Sequence, residues 1–183
     1  MKAYKGFNKD LTCRGYKFEE GKIFEENEAN CVKNGFHCAE NPLDCFTYYP
    51  QIENSAYYII EAFGDLDEDG TDSKISCTKM QLVQRMTLEK IMIEALVFMV
   101  KKPYRKIHHC VKNEEGNAKN GFAIVRGKNP KAKGKIGDVL ALAKEEKDSV
   151  KIIDAAVGKV GINAKPDTWY MLENGRIKEV KEK

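Results

Sequence analysis

YYIIEAFGDLDEDGTDSKISCTK (57–79) reads as a strand, an acidic connection and a second strand. Residues 57–63 are aromatic and β-branched, ISCTK (75–79) has the same texture, and Gly, Asp and Ser punctuate the interval, so a β-hairpin is predicted. Four shorter runs lie on its amino-terminal side: KAYKGF (2–7), GYKF (15–18), KIF (22–24) and GFHC (35–38). Each is bounded by Gly, Asn or Asp and predicts a short strand of a meander. Between the meander and the hairpin, Asn41-Pro42-Leu43-Asp44 has the make-up of a helix start. It offers a capping Asn, a Pro at the first helical position and an acid in the first turn. The helix it opens is predicted to end near Tyr49-Pro50.

From Thr87 the hydrophobic period changes. Leu88, Ile91, Met92, Ala95, Leu96 and Met99 recur at helical spacing and form one face, with Thr87 as the cap and Pro103 as the stop. Ile93, Val97, Phe98 and Val100 add apolar side chains elsewhere, so the helix is predicted to be buried on most sides. Beyond Pro103 the texture returns to strand. Ala118-Lys119 in GNAKNGFAIV (116–125) recurs as Ala132-Lys133 in PKAKGKIGDVLAL (130–142), a weak repeat that predicts consecutive coils or hairpins of a small β-roll. DVLALA (138–143) and VKIIDAAV (150–157) are predicted to pair. TWYMLENGRIKEV (168–180) is predicted to close the chain as a hairpin with Asn174-Gly175 in its turn. The expected fold is therefore α+β: a twisted antiparallel sheet with two helices over 1–102, followed by a β-rich part over 103–183.

Apolar residues make up 42% of the 183-residue chain and charged residues 32%, which excludes wholesale disorder. The longest apolar run, Ile91 to Val100, is interrupted by Glu94 and falls short of the roughly twenty residues that span a bilayer. No leader pattern opens the sequence, so the expected location is the cytoplasm, with no membrane partner. There Cys13, Cys31, Cys38, Cys45, Cys77 and Cys110 are expected as thiols.

The charge is unevenly placed. Residues 1–100 hold 11 Lys and Arg against 17 Asp and Glu, whereas residues 101–183 hold 20 against 11. Such a division suits a partner that is itself charged, such as nucleic acid or a protein that handles it. Two candidate partner-binding sets follow. The acidic set is Glu61, Asp65, Asp67, Glu68, Asp69 and Asp72, carboxylates that can imitate phosphates to a basic groove. The basic set is Lys101, Lys102, Arg105, Lys106, Arg126, Lys128, Lys131, Lys133 and Lys135, which suits nucleic acid or an acidic partner. A third, apolar possibility is an exposed aromatic group at Phe46, Tyr48 and Tyr49.

No cofactor or metal is expected. Asp65, Asp67, Asp69, Gly70 and Ser73 match positions of a calcium-binding loop, but Asp72 stands where an apolar residue belongs and Ser76 where the bidentate Glu belongs. Cys31, His37, Cys38 and Cys45 include zinc-ligand types without the close cysteine pairs of a structural zinc site. No Gly-rich phosphate loop, HExxH or GxSxG pattern occurs, and no catalytic residue is expected.

The stretch KAYKGFNKDLTCRGYKFEEGKIFEENEANCVKNGFHCAENPLDCFTYYP (2–50), with KPDTWYMLENGRIKEV (165–180), resembles a family of proteins from phages and prophages of Firmicutes. The resemblance implies a mobile-element origin, a host bacterial cell and no established catalytic residues. Anti-CRISPR inhibitors of type II CRISPR nucleases are similar in length and look, which implies binding to such a nuclease, or to its guide RNA or target DNA. Separately, Tyr4-Lys5-Gly6 followed by GFHCAENPLDCFTYY is similar to ADP-ribosyltransferase folds, where an Arg or His on a first strand and a helix after a second strand frame a nicotinamide site; here no Arg or His stands beside Gly6. The expected function is thus an inhibitor of a nucleic-acid-handling host defence effector. The alternatives are a stand-alone nucleic-acid-binding phage protein and a transferase-like enzyme relic.

Overall fold

A computed structural model describes residues 1–31, 33–68 and 73–181. The described residues form thirteen strands and two α-helices, so the α+β character holds with strands dominant. The chain divides into two compact units, Met1–Thr87 and Leu88–Lys183. The division precedes the long helix, whereas the sequence suggested a boundary at 102/103. The reason is packing: the helix face Ile91, Met92, Ala95, Leu96 and Met99 is buried, and its contacts are with strands of the second unit. Divided there, the charge asymmetry persists, with 10 Lys and Arg against 15 Asp and Glu in the first unit and 21 against 13 in the second.

The first unit contains β1 (Lys2–Asn8), β2 (Thr12–Cys13), β3 (Tyr16–Lys17), β4 (Ile23–Glu25) and β5 (Phe36–Ala39). A 3-10 turn, Pro42–Asp44, leads into α1 (Cys45–Tyr48), and β6 (Ser55–Glu68) and β7 (Lys74–Arg85) follow. Asn41 caps the 3-10 turn through its side chain, which accepts from the Leu43 N–H at 3.1 Å, as the residue types require. The predicted twisted sheet is closed on itself: β7 pairs with β5, β5 with β1, β1 with β6 and β6 again with β7, while β4 shares the β5 edge of β7. Closure buries Ala3, Phe7, Phe36, Tyr58, Ile60, Met80 and Leu82 in a common interior, capped by the rings of Phe18 and Phe24. The ring is thin at one seam. β1 meets β5 only at Tyr4 opposite Ala39, whereas β1 and β6 pair along their length. Among the described residues one short α-helix, not two, belongs to this unit.

The second unit opens with α2 (Leu88–Lys101) and continues with β8 (Val111–Asn117), β9 (Phe122–Lys133), β10 (Val139–Glu145), β11 (Ile152–Lys159), β12 (Tyr170–Glu173) and β13 (Arg176–Glu179). Only one side of α2 is enclosed. Ile93, Val97 and Val100 are exposed at 41%, 40% and 50%, which corrects the expectation of burial on most sides. Parallel strands usually need a long crossover. Here β8 and β10 both run parallel to β9 across short turns, because β9 bends: its first half pairs with β10 and its end with β12. The bend is held by Glu114, whose carboxylate accepts the N–H groups of Lys128 at 2.6 Å and Asn129 at 2.9 Å. Gly127 leaves room for that carboxylate, which a Cβ would displace. The repeated Ala-Lys-Gly texture thus corresponds to coiled rungs. β10 pairs antiparallel with β11, and β12 with β13 across Asn174-Gly175, both at positive φ (51° and 74°) as a type I′ turn demands.

Candidate functional site

The acidic residues lie on a strand rather than in a loop. Glu61, Asp65, Asp67 and Glu68 all belong to β6, and all are exposed. Asp69 and Asp72 lie outside the described residues. Leu66, Asp67 and Glu68 stand in register with Cys77, Ser76 and Ile75, so the backbone is extended where an ion-binding loop would have to curl. Asp67 accepts the Cys31 N–H at 2.6 Å. Among the described residues no ion pair reaches Glu61, Asp65, Asp67 or Glu68.

The basic set divides in two. Arg126 is only 3% exposed: its Nε bonds the Glu145 carboxylate at 2.7 Å and one terminal nitrogen holds the carbonyls of Pro103 and Val150. Lys128 holds the carbonyls of Glu146 and Ser149, Lys131 pairs with Glu115 at 3.3 Å, and Lys133 lies 4.9 Å over the Trp169 ring. Folding therefore engages these four. Lys101, Arg105, Lys106 and Lys135 remain at the surface, with Lys102 half-buried. Of the aromatic set, Phe46 is buried against Tyr57, Tyr49 is half-buried and Tyr48 is 53% exposed.

A cavity of about 740 Å³ opens in the first unit at the seam between β1 and β5. Its lining includes Tyr4, Lys5 and Gly6 from β1, Phe36, His37 and Cys38 from β5, and Asp44, Cys45, Tyr48 and Tyr49 from the helical segment. Arg14, Tyr16, Asn27, Asn34, Lys33 and Lys74 add to the wall. Beyond Tyr4 and Ala39 the two strands part, and the Lys5 side chain bridges the gap: its Nζ donates to the His37 carbonyl at 2.6 Å. Gly6 lets Tyr49 close the other side, because a Cβ there would stand 2.6 Å from the Tyr49 ring.

Lys5 is 7% exposed, and its only hydrogen-bond partner among the described residues is that carbonyl. The rings of Phe7 and Phe18 lie 5.5 and 5.8 Å from Nζ and soften the burial of its charge. Of the thiols around it, Cys77 is lowered, first by its hydrogen bond from Cys38 and in part by the Lys5 charge. Burial pushes Cys45 up to about 12, and Cys38 is raised by donating its hydrogen bond to Cys77 and by burial. His37 is moved the other way, first by burial and then by the charges of Lys5, Arg14 and Lys74, against a hydrogen bond to the Gly35 backbone, so at neutral pH the ring is uncharged. A buried cation, a neutral imidazole and exposed tyrosines at the rim (Tyr16 at 43%, Tyr48 at 53%) suit an anion joined to a flat ring, while the carboxylates of Glu26, Glu28 and Asp44 in the same lining oppose it.

Sequence inspection singled out Tyr4-Lys5-Gly6 and the 35–49 stretch, and the fold brings them together around this cavity. It did not single out Lys5 as the buried cation, nor Arg14, Lys33 or Lys74; a Lys flanked by aromatic residues in a strand was the available signal. His37, Cys38 and Cys45 line this cavity, and no group of three or more His, Cys, Asp or Glu is placed to hold a metal ion among the described residues.

None of the curated proteins and none of the solved structures compared with the chain matches it. Residues 1–94, just over half of the sequence, match the family model described as Domain of unknown function (DUF7666), and the chain belongs to that family.

Proposed function

We propose that the first unit binds a small anionic ligand carrying a planar ring, of the nucleotide class, in the seam over Lys5. The burial of Lys5 with a single carbonyl acceptor is the observation that carries this reading. An ammonium has three donors, and a buried charge without a counter-ion is costly, so an incoming phosphate or carboxylate supplies what the fold leaves out. The volume exceeds the needs of phosphate alone and falls within the usual range for small-molecule sites. The similarity of residues 4–6 and 35–49 to a transferase nucleotide site supports the same ligand class. Calorimetric titration with AMP, ATP and inorganic pyrophosphate tests it. The expected result is tighter binding of the nucleotides than of pyrophosphate, lost in Lys5→Met; no heat from any of the three overturns the reading.

A second reading rests on the unpaired carboxylates of β6. We propose that Glu61, Asp65, Asp67 and Glu68 form an acidic ridge that meets a basic nucleic-acid groove, as an inhibitor of a host nuclease of the type II CRISPR class requires. RNA-guided nucleases hold nucleic acid in positively charged channels, and charge complementarity raises the association rate. Asp65→Asn/Asp67→Asn is expected to slow association with such a nuclease at least severalfold while folding is kept. An unchanged rate removes the ridge from the interface.

A further inference from the structure

Arg126 joins two segments that are far apart in sequence. One terminal nitrogen of its guanidinium donates to two carbonyls, Pro103 at 2.9 Å and Val150 at 2.6 Å. Lys128 fastens the same turn through the carbonyls of Glu146 and Ser149. The segment that follows α2 therefore lies beside the turn between β10 and β11. The first brings Lys101, Arg105 and Lys106, all exposed, and the second brings Lys147 and Lys151, also exposed. Glu145 is already paired with Arg126 and Lys128, which leaves Glu146 and Asp148 as the acidic residues of the turn. In the midst of these cations Tyr104 is 74% exposed, more than any other aromatic side chain named as exposed.

We propose that this end of the second unit binds single-stranded nucleic acid, with backbone phosphates on Lys101, Arg105, Lys106, Lys147 and Lys151 and one base stacked on Tyr104. Cations that no fold contact buries attract phosphates, and an exposed ring offers a face to an unpaired base, which a duplex does not present. Protein interfaces are depleted in Lys, which disfavours a protein occupant for a surface this rich in it. The contribution of Arg126 is to position the two segments, since its own charge is buried.

The test uses the full chain and a labelled fifteen-nucleotide oligothymidine, read by fluorescence anisotropy at 50 and 200 mM salt. Binding is expected at the lower salt and at least tenfold weaker at the higher, because about 0.7 counterions leave per phosphate contacted on a single strand. Lys101→Gln/Lys106→Gln/Lys147→Gln is expected to weaken binding at least tenfold and to flatten the salt dependence. Tyr104→Ala is expected to weaken it severalfold with the salt dependence unchanged, which separates stacking from charge. All four positions are exposed and make none of the fold contacts above, so circular dichroism is expected to match the wild type. Absence of binding at 50 mM salt overturns the proposal, as does a triple variant that binds normally. Equal affinity for a duplex with a silent Tyr104→Ala overturns the single-strand assignment, and capture by anionic phosphatidylserine vesicles without oligonucleotide binding assigns the surface to lipid instead.

Discussion

The Nζ of Lys5 stands 2.6 Å from the carbonyl oxygen of His37, across a seam where β1 and β5 part beyond the pairing of Tyr4 with Ala39. A side chain thus replaces a ladder hydrogen bond, and the replacement both opens a cavity and puts a cation on its floor. Lys5→Met keeps the volume and removes the charge. The variant is expected to melt within a few degrees of the wild type or above it, since an apolar side chain suits the site, while nucleotide affinity falls at least tenfold, about 1.4 kcal/mol. Thermal melting and titration calorimetry of the pair check both halves.

Gly6 and Tyr49 are matched by shape. Gly6→Ala places a methyl group against the Tyr49 ring, and displacing the ring is expected to destabilise the first unit by about 1–3 kcal/mol. Tyr49→Ala creates room for the methyl group, so the double variant is expected to be more stable than the sum of the two single effects allows. A double-mutant cycle by urea unfolding measures that coupling; additive effects exclude the contact.

His108 links the stability of the second unit to pH. Burial first, then the adjacent His109, lowers this ring from its ordinary 6.5 to about 4. On acidification the unfolded chain takes up the proton first. The contribution of His108 to stability is therefore complete above about pH 7, declines between 6.5 and 4 and is flat below. With screening at this half-buried ring it amounts to something on the order of 1 kcal/mol. His108→Asn is expected to reduce the difference in urea midpoint between pH 7.5 and 4.5, and an undiminished difference assigns the dependence to other groups.

Arg126 and Glu145 form a nearly buried ion pair. Arg126→Met leaves Glu145 with Lys128 alone at 3.5 Å and strips two carbonyls of their donor, so a loss of about 3–5 kcal/mol is expected. Adding Glu145→Met removes the stranded charge and is expected to restore most of the loss. Urea unfolding followed by Trp169 fluorescence reads the second unit; failure of the double variant to recover points to the two carbonyl contacts instead.

Local chemistry made most elements legible. Aromatic and β-branched runs marked β1, β5, β6, β7, β10 and β11, Asn41-Pro42 marked the start of the short helix, and Asn174-Gly175 marked the final turn. These signals act within a few residues, so they survive without knowledge of the fold. The helical face from Leu88 to Met99 was equally clear, but its unit was not, because periodicity tells which side is buried and says nothing of what buries it.

The charge division between the two parts of the chain was determined by sequence alone, since it is a matter of counting. Which charges meet solvent was decided by tertiary structure: Arg126, Lys128, Lys131 and Lys133 found partners elsewhere in the fold, while among the described residues no ion pair reaches the carboxylates of β6. Closure of the first sheet, and with it the seam over Lys5, depends on pairing between strands separated by dozens of residues. A lysine between Tyr4 and Gly6 looks like any surface lysine until the ring closes around it. Only then do long-range pairing and loss of solvent turn its charge into a feature of the interior.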